Sequence, residues 1–184
     1  MSGHPAEGGR TMTGTPATVT LDTNIVSEHW KGQKKACIFE RLLALTDSGQ
    51  IDVAVTTRIE ADIFQPPLAD RINELPLLGI EKIGTVARYG VSRYGSGDMY
   101  ARDSDSFGDA KSSICETLRQ RGRKGPDWRD WDHIQGHYEA GRDVFLTWDG
   151  GMLEITEDLR SRLGVVVMTP EAFLSDATNK ASSP

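Results

Sequence analysis

Short β-branched runs alternating with helix-period segments constrain this chain more than any other feature. Ala17-Thr18-Val19-Thr20-Leu21 ends at Asp22. Ile51-Asp52-Val53-Ala54-Val55-Thr56 alternates, and Val144-Phe145-Leu146-Thr147 and Val165-Val166-Val167-Met168 are short and apolar. Such runs suit buried strands. Between them, Lys34 to Leu45 carries Ile38, Leu42, Leu43 and Leu45 at helical spacings, with Gly49 placed as a stop. Arg58 to Phe64 reads as a short helix ended by Pro66-Pro67, and Arg129 to Ala140 as a longer one stopped by Gly141. Leu153 to Leu163 is helical, and Pro170 to Leu174 opens a last short helix. The alternation predicts an α/β fold, three layers deep (α/β/α), around a central, mostly parallel sheet. In such sheets, sites form beyond the carboxyl ends of the strands. Asp22 and Asp149 both fall there.

A chain of 184 residues fits one domain with a real core. We place the domain at 17–176, with flexible tails at 1–16 and 177–184 and a variable insert at about 66–125. Within the insert, Leu77 to Val86 can hold a strand, Gly95 to Asp105 reads as an exposed loop and Gly108 to Arg119 as a helix. No stretch approaches the roughly 20 apolar residues of a membrane span, and residues 1–16 hold no apolar run of a secretory signal. Cys37 and Cys115 share no metal-type spacing, which suits reduced thiols in the cytoplasm. A net charge of −6 argues against coating nucleic acid through bulk positive charge. It leaves room for an enzyme that acts through a local patch.

Four acids from remote segments can be aimed at one point: Asp22, Glu60, Asp130 and Asp149. Each has a structural explanation as well. Asp22 could cap the next helix or build an Asx turn, Asp149-Gly150-Gly151 is a good turn, and Glu60 is a first-turn acid with Asp62 as a nearby competitor. Asp130 could serve the helix dipole behind Asp127 as N-cap. On a helix whose apolar face is Trp131, Ile134 and Tyr138, Asp130 lies roughly 70° from the middle of that face and Asp132 roughly 130°. That phase turns Asp130 toward a site edge and Asp132 toward solvent. Asp130, His133 and His137 also share a face that could seat a transition metal, although no further His or Cys cluster supports it.

The strings Leu21-Asp22-Thr23-Asn24, Thr56 to Glu60, Asp130-x-x-His133, Thr147-Trp148-Asp149 and the ending Thr169 to Leu174 together resemble the PIN-domain ribonucleases. The resemblance covers roughly 18–63 and 126–174; His137 and the long insert depart from the family pattern. It implies a Mg²⁺- or Mn²⁺-dependent endoribonuclease, since all-oxygen sites favour hard cations. Asp22, Asp130 and Asp149 would hold the ion and Glu60 a second ion or the nucleophile. Asn24 and Thr147 would bond to site carboxylates or substrate phosphate. A toxin restrained by an antitoxin protein, and a homodimer, are roles and assemblies of that family. A catalytically weak RNA-binding module of the same fold is the second reading. A phosphohydrolase with Asp22 as nucleophile ranks last, because Asn24 stands where its acid would be.

Arg119, Arg121, Arg123, Lys124 and Arg129, interleaved with Trp128 and Trp131, form either a patch for single-stranded RNA or a solvated loop. Lys31, Lys34 and Lys35 extend that patch if the first loop lies beside it.

Overall fold

The computed structural model describes residues 15–63, 66–85 and 128–181. Most of the expected N-terminal tail lies outside them, as do the loop Gly95 to Asp105, the helix Gly108 to Arg119, the arginines before Arg129 and the expected cap Asp127. The described elements are β1 (Ala17–Leu21), α1 (Thr23–Trp30), α2 (Ala36–Asp47), β2 (Ile51–Thr56), α3 (Ile59–Asp62) and α4 (Leu68–Arg71). A 3₁₀ helix (Ile72–Leu78), β3 (Glu81–Ile83), α5 (Trp128–Glu139), β4 (Val144–Leu146), α6 (Gly150–Glu154), α7 (Thr156–Leu163), β5 (Val166–Met168) and α8 (Pro170–Ala181) follow. Gly141 closes α5 in the left-handed region, φ 62°, as its place in the sequence suggests.

The five strands form one parallel sheet in the order β3-β2-β1-β4-β5, with helices on both faces. Its centre is β1, paired Val19↔Val53 and Leu21↔Val55 on one side and Leu21↔Leu146 on the other. Parallel strands buried on both faces favour continuous apolar runs; β4 and β5 are such runs, whereas β1 and β2 carry threonines among their apolar residues.

Each face carries its own core. On the first, Val19, Leu21, Val53, Val55 and Leu146 pack with Ile25, Phe39, Leu42, Leu75 and Leu174. On the second, Phe145 and Val167 meet Ile134, Met152, Ile155 and Leu159. Each such buried side chain contributes about 1.5–3 kcal/mol. Among the described residues no helix is long and apolar enough to cross a membrane.

Several elements differ from the sequence reading, among them α4 and the 3₁₀ helix, where no helix was expected. Thr23–Trp30 is a helix that the pattern did not announce; it buries Ile25, Val26 and Trp30. The expected Leu153–Leu163 helix is two, broken at Ile155, whose side chain is buried in the second core. The last helix continues past Leu174 to Ala181.

The phase of α5 is the largest correction. The face it turns to the sheet is mixed: Ile134 joins the second core with Trp131 against it, but polar side chains lie beside them. His133 meets Thr56 and His137 meets Thr20, while Tyr138 is exposed. Thr20 and Thr56 lie on the second face of the sheet, where register puts Thr20 beside Phe145. Side chains at His133 and His137 are one turn apart on a helix, which matches threonines from adjacent strands. Gly136 stands between them. A Cβ there would come 3.0 Å from the Gly84 carbonyl oxygen and 3.0 Å from Thr85 Cγ2, so only glycine lets the helix approach this closely. Asp132 is consequently buried, at 1% exposure, and not turned to solvent.

Candidate functional site

Asp22 follows β1 and occupies the position before α1, where its backbone carbonyl accepts from Ile25 N–H at 3.1 Å. Its side chain makes no capping bond. Instead Asp22 Oδ2 accepts from Asn24 Nδ2 at 2.7 Å and from the Thr147 hydroxyl in a short hydrogen bond. Asn24 Nδ2 also lies 3.2 Å from Thr147 Oγ1, and Thr147 Oγ1 accepts from Asp149 N–H at 2.8 Å. The ends of β1 and β4 are thus tied through one carboxylate, one amide and one hydroxyl.

Asp149 sits two residues beyond Thr147 of this triad, but its carboxylate is engaged elsewhere. Asp149 Oδ1 accepts from Met152 N–H at 2.8 Å and caps α6. Asp149 is thus a helix cap and not the start of the Asp149-Gly150-Gly151 turn, and Asp22, for which a side-chain cap was one alternative, makes none.

The acid that reaches the same corner from β2 is Asp62, with Glu60 turned away. Glu60 accepts from Lys82 Nζ at 2.6 Å. Asp62 Oδ2 instead lies 2.9 Å from His133 Nε2 and accepts from the Thr23 hydroxyl at 3.0 Å, and Asp62 Oδ1 accepts from Arg58 Nε at 3.2 Å. His133 Nε2 also faces Asp22 Oδ1 at 3.9 Å, too far for a hydrogen bond. Its other nitrogen, Nδ1, is 2.5 Å from Thr56 Oγ1. Arg58 Nη1 lies 3.7 Å from Asp132 Oδ2. Asp130 is half-buried, and its charge bears on His133.

Electrostatics follow from this packing. Burial pushes the Asp22 carboxyl up, against the lowering pull of His133 and the Thr147 hydrogen bond. Burial alone would raise Asp62 too, but the His133 hydrogen bond and charge, with Arg58, hold it below the usual carboxylate range. Burial alone would lower His133; the Asp62 hydrogen bond and the charges of Asp22, Asp62 and Asp130 outweigh it and raise the imidazole.

The structure thus joins Asp22, Asn24 and Thr147, brings the Asp149 backbone to them, and separates Glu60. Sequence reasoning named Asp62 only as a competitor of Glu60, and missed Thr23 and Arg58 as its neighbours. The signal was present in the Arg58–Asp62 spacing of four residues, which pairs them on one helical face. His133 is a buried, hydrogen-bonded histidine. With His137 bonded to Thr20, the transition-metal reading loses a ligand.

Among the described residues no group of three or more His, Cys, Asp or Glu side chains is set to hold a metal ion. The donor chemistry at Asp22 nevertheless suits a hard cation. Among the described residues, Asn24 Oδ1 is buried with no hydrogen-bond partner, an unused oxygen donor on the residue whose amide holds the Asp22 carboxylate. No family model, curated protein or solved structure matches this chain.

Proposed function

We propose that this chain is a metal-dependent endoribonuclease of the PIN type. The observation that carries the reading is Asp22, a buried carboxylate whose pKa is raised, at the carboxyl end of the two adjacent central strands. A buried anion of this kind is costly until a cation joins it. The position is where ligands bind in open parallel sheets.

On this reading Asp22, Asp130 and Asp149 would hold Mg²⁺ or Mn²⁺. When bound, such an ion supplies an activated water and stabilises charge on the phosphoryl oxygens. The chain's own groups do the rest. Asn24 and Thr147 fix the direction of the Asp22 carboxylate. His133 and Arg58 hold Asp62 beside it, which keeps a second carboxylate ionised near substrate. Restraint by an antitoxin protein belongs to the same proposal.

The second reading, an RNA-binding module with little turnover, draws support from Glu60 on Lys82 and from the Asp149 carboxylate on α6. Incubating the purified protein with mixed single-stranded RNAs, with Mn²⁺ or with chelator, separates the two. The nuclease reading expects cleavage only with metal, and none from Asp22→Asn. Metal-independent cleavage, or equal cleavage by that variant, contradicts it. Binding without cleavage favours the second reading.

A further inference from the structure

We propose that the loop 31–35 and Trp148 together form the surface that holds a single-stranded RNA beside the site; this rests on the nuclease reading and names how its substrate is gripped. Lys31, Lys34 and Lys35 are all exposed, and no acid lies between them. Lys35 Nζ stands 4.4 Å from the centre of the Trp148 ring and 3.6 Å from Glu171 Oε1. The loop is therefore at the carboxyl-end rim, next to the residue that separates Thr147 from Asp149. Trp148 packs against the first core and donates its indole N–H to Glu171 Oε2 at 2.8 Å, so its plane is fixed.

A fixed indole under an exposed ammonium suits a nucleotide. A base can stack on the ring when Lys35 swings from the ring face to a phosphate, and both contacts ignore base identity. In a chain of net charge −6, three lysines at the rim form a local attraction that the molecule as a whole does not supply. Unpaired bases are required, since a duplex offers no free face to the indole.

The test is RNA affinity in chelator, so that turnover plays no part. A fluorescently labelled oligouridine is titrated with the full chain over a range of salt. The triple variant Lys31→Gln, Lys34→Gln, Lys35→Gln should weaken binding and flatten the slope of log affinity against log salt by roughly 2, given about 0.7 per phosphate contact on a single strand. Trp148→Leu should weaken binding roughly tenfold with little change in slope. A perfect duplex should bind wild type more weakly than the single strand. Unchanged affinity and slope in the lysine variant overturn the proposal even if Trp148→Leu fails to fold, because all three lysines are exposed. Wild type preferring the duplex also overturns it. Loss of binding in these variants with no metal-dependent cleavage in wild type leaves this surface standing and removes the nuclease reading. Cleavage with unaltered binding does the opposite.

Discussion

His133 and His137 lie one turn apart on α5, both buried, and both reach a strand threonine. Yet their acid–base properties are driven in opposite directions. His133 stands at the carboxyl end of the sheet among Asp62, Asp22 and Asp130, which raise it despite burial. His137 is pushed down to about 4, first by burial and then by the charge of Arg142, with Asp143 opposing. Its Nε2 has no hydrogen-bond partner among the described residues. One histidine belongs to a cluster of charge and the other to a neutral contact within the fold. The lesson is that burial alone does not mark a site; what gathers around the buried group does.

The comparison can be broken most severely at Asp22. Asp22→Asn should reduce metal-dependent RNA cleavage by more than a hundredfold while preserving or raising the stability of the metal-free protein. Thr20→Val, which removes the hydroxyl from His137 at the other end of the contact, should cost stability but leave cleavage per folded molecule unchanged. Melting curves and initial rates on the two variants measure this. Equal losses of cleavage would erase the distinction between the two histidines.

Next in size is the pH dependence of stability. The folded His137 pKa lies below the unfolded value near 6.5, so the contribution is complete above that value and disappears as pH falls toward about 4. The loss reaches about 3 kcal/mol, and His137→Gln should remove it from denaturant titrations. His133 has the opposite sign: its folded pKa is raised, so its contribution is complete below 6.5 and disappears as pH rises through the folded value. His133→Gln should therefore flatten the alkaline side of the same profile. Identical effects of the two substitutions would contradict the assignment.

Gly136→Ala sharpens the account of what presses both rings to the sheet. A Cβ 3.0 Å from the Gly84 carbonyl requires α5 to move, at a cost of about 1–3 kcal/mol. The smallest effect is spectroscopic. Asp62→Asn should lower the His133 titration midpoint, followed by its ring proton resonances, and leave His137 unmoved.

Much of the fold was legible because its central strands present an unbroken apolar row to the first core. Val19, Leu21, Val53 and Val55 could belong to little else, and Asp22 and Asp149 were locatable from the ends of those runs. The phase of α5 was not, because amphipathic reasoning assumes that the buried face is the apolar one. Thr20 and Thr56 make that part of the sheet polar, so His133, Gly136 and His137 take the inner position and Asp132 is buried against Arg58. Matching the strand threonines to a histidine pair would have found the correct phase. Asp62 was named only as a competitor of Glu60, because its partner, His133, is 71 residues away in sequence, a contact that no local pattern encodes.

Calorimetric titration of the metal-free protein with Mn²⁺ tests the central claim most directly, with Asp143→Asn as control because Asp143 precedes β4 at the opposite, amino end of the sheet and bonds to Thr18. Wild type and Asp143→Asn should bind the ion, and Asp22→Asn should not. Equal binding by Asp22→Asn and wild type would contradict the account.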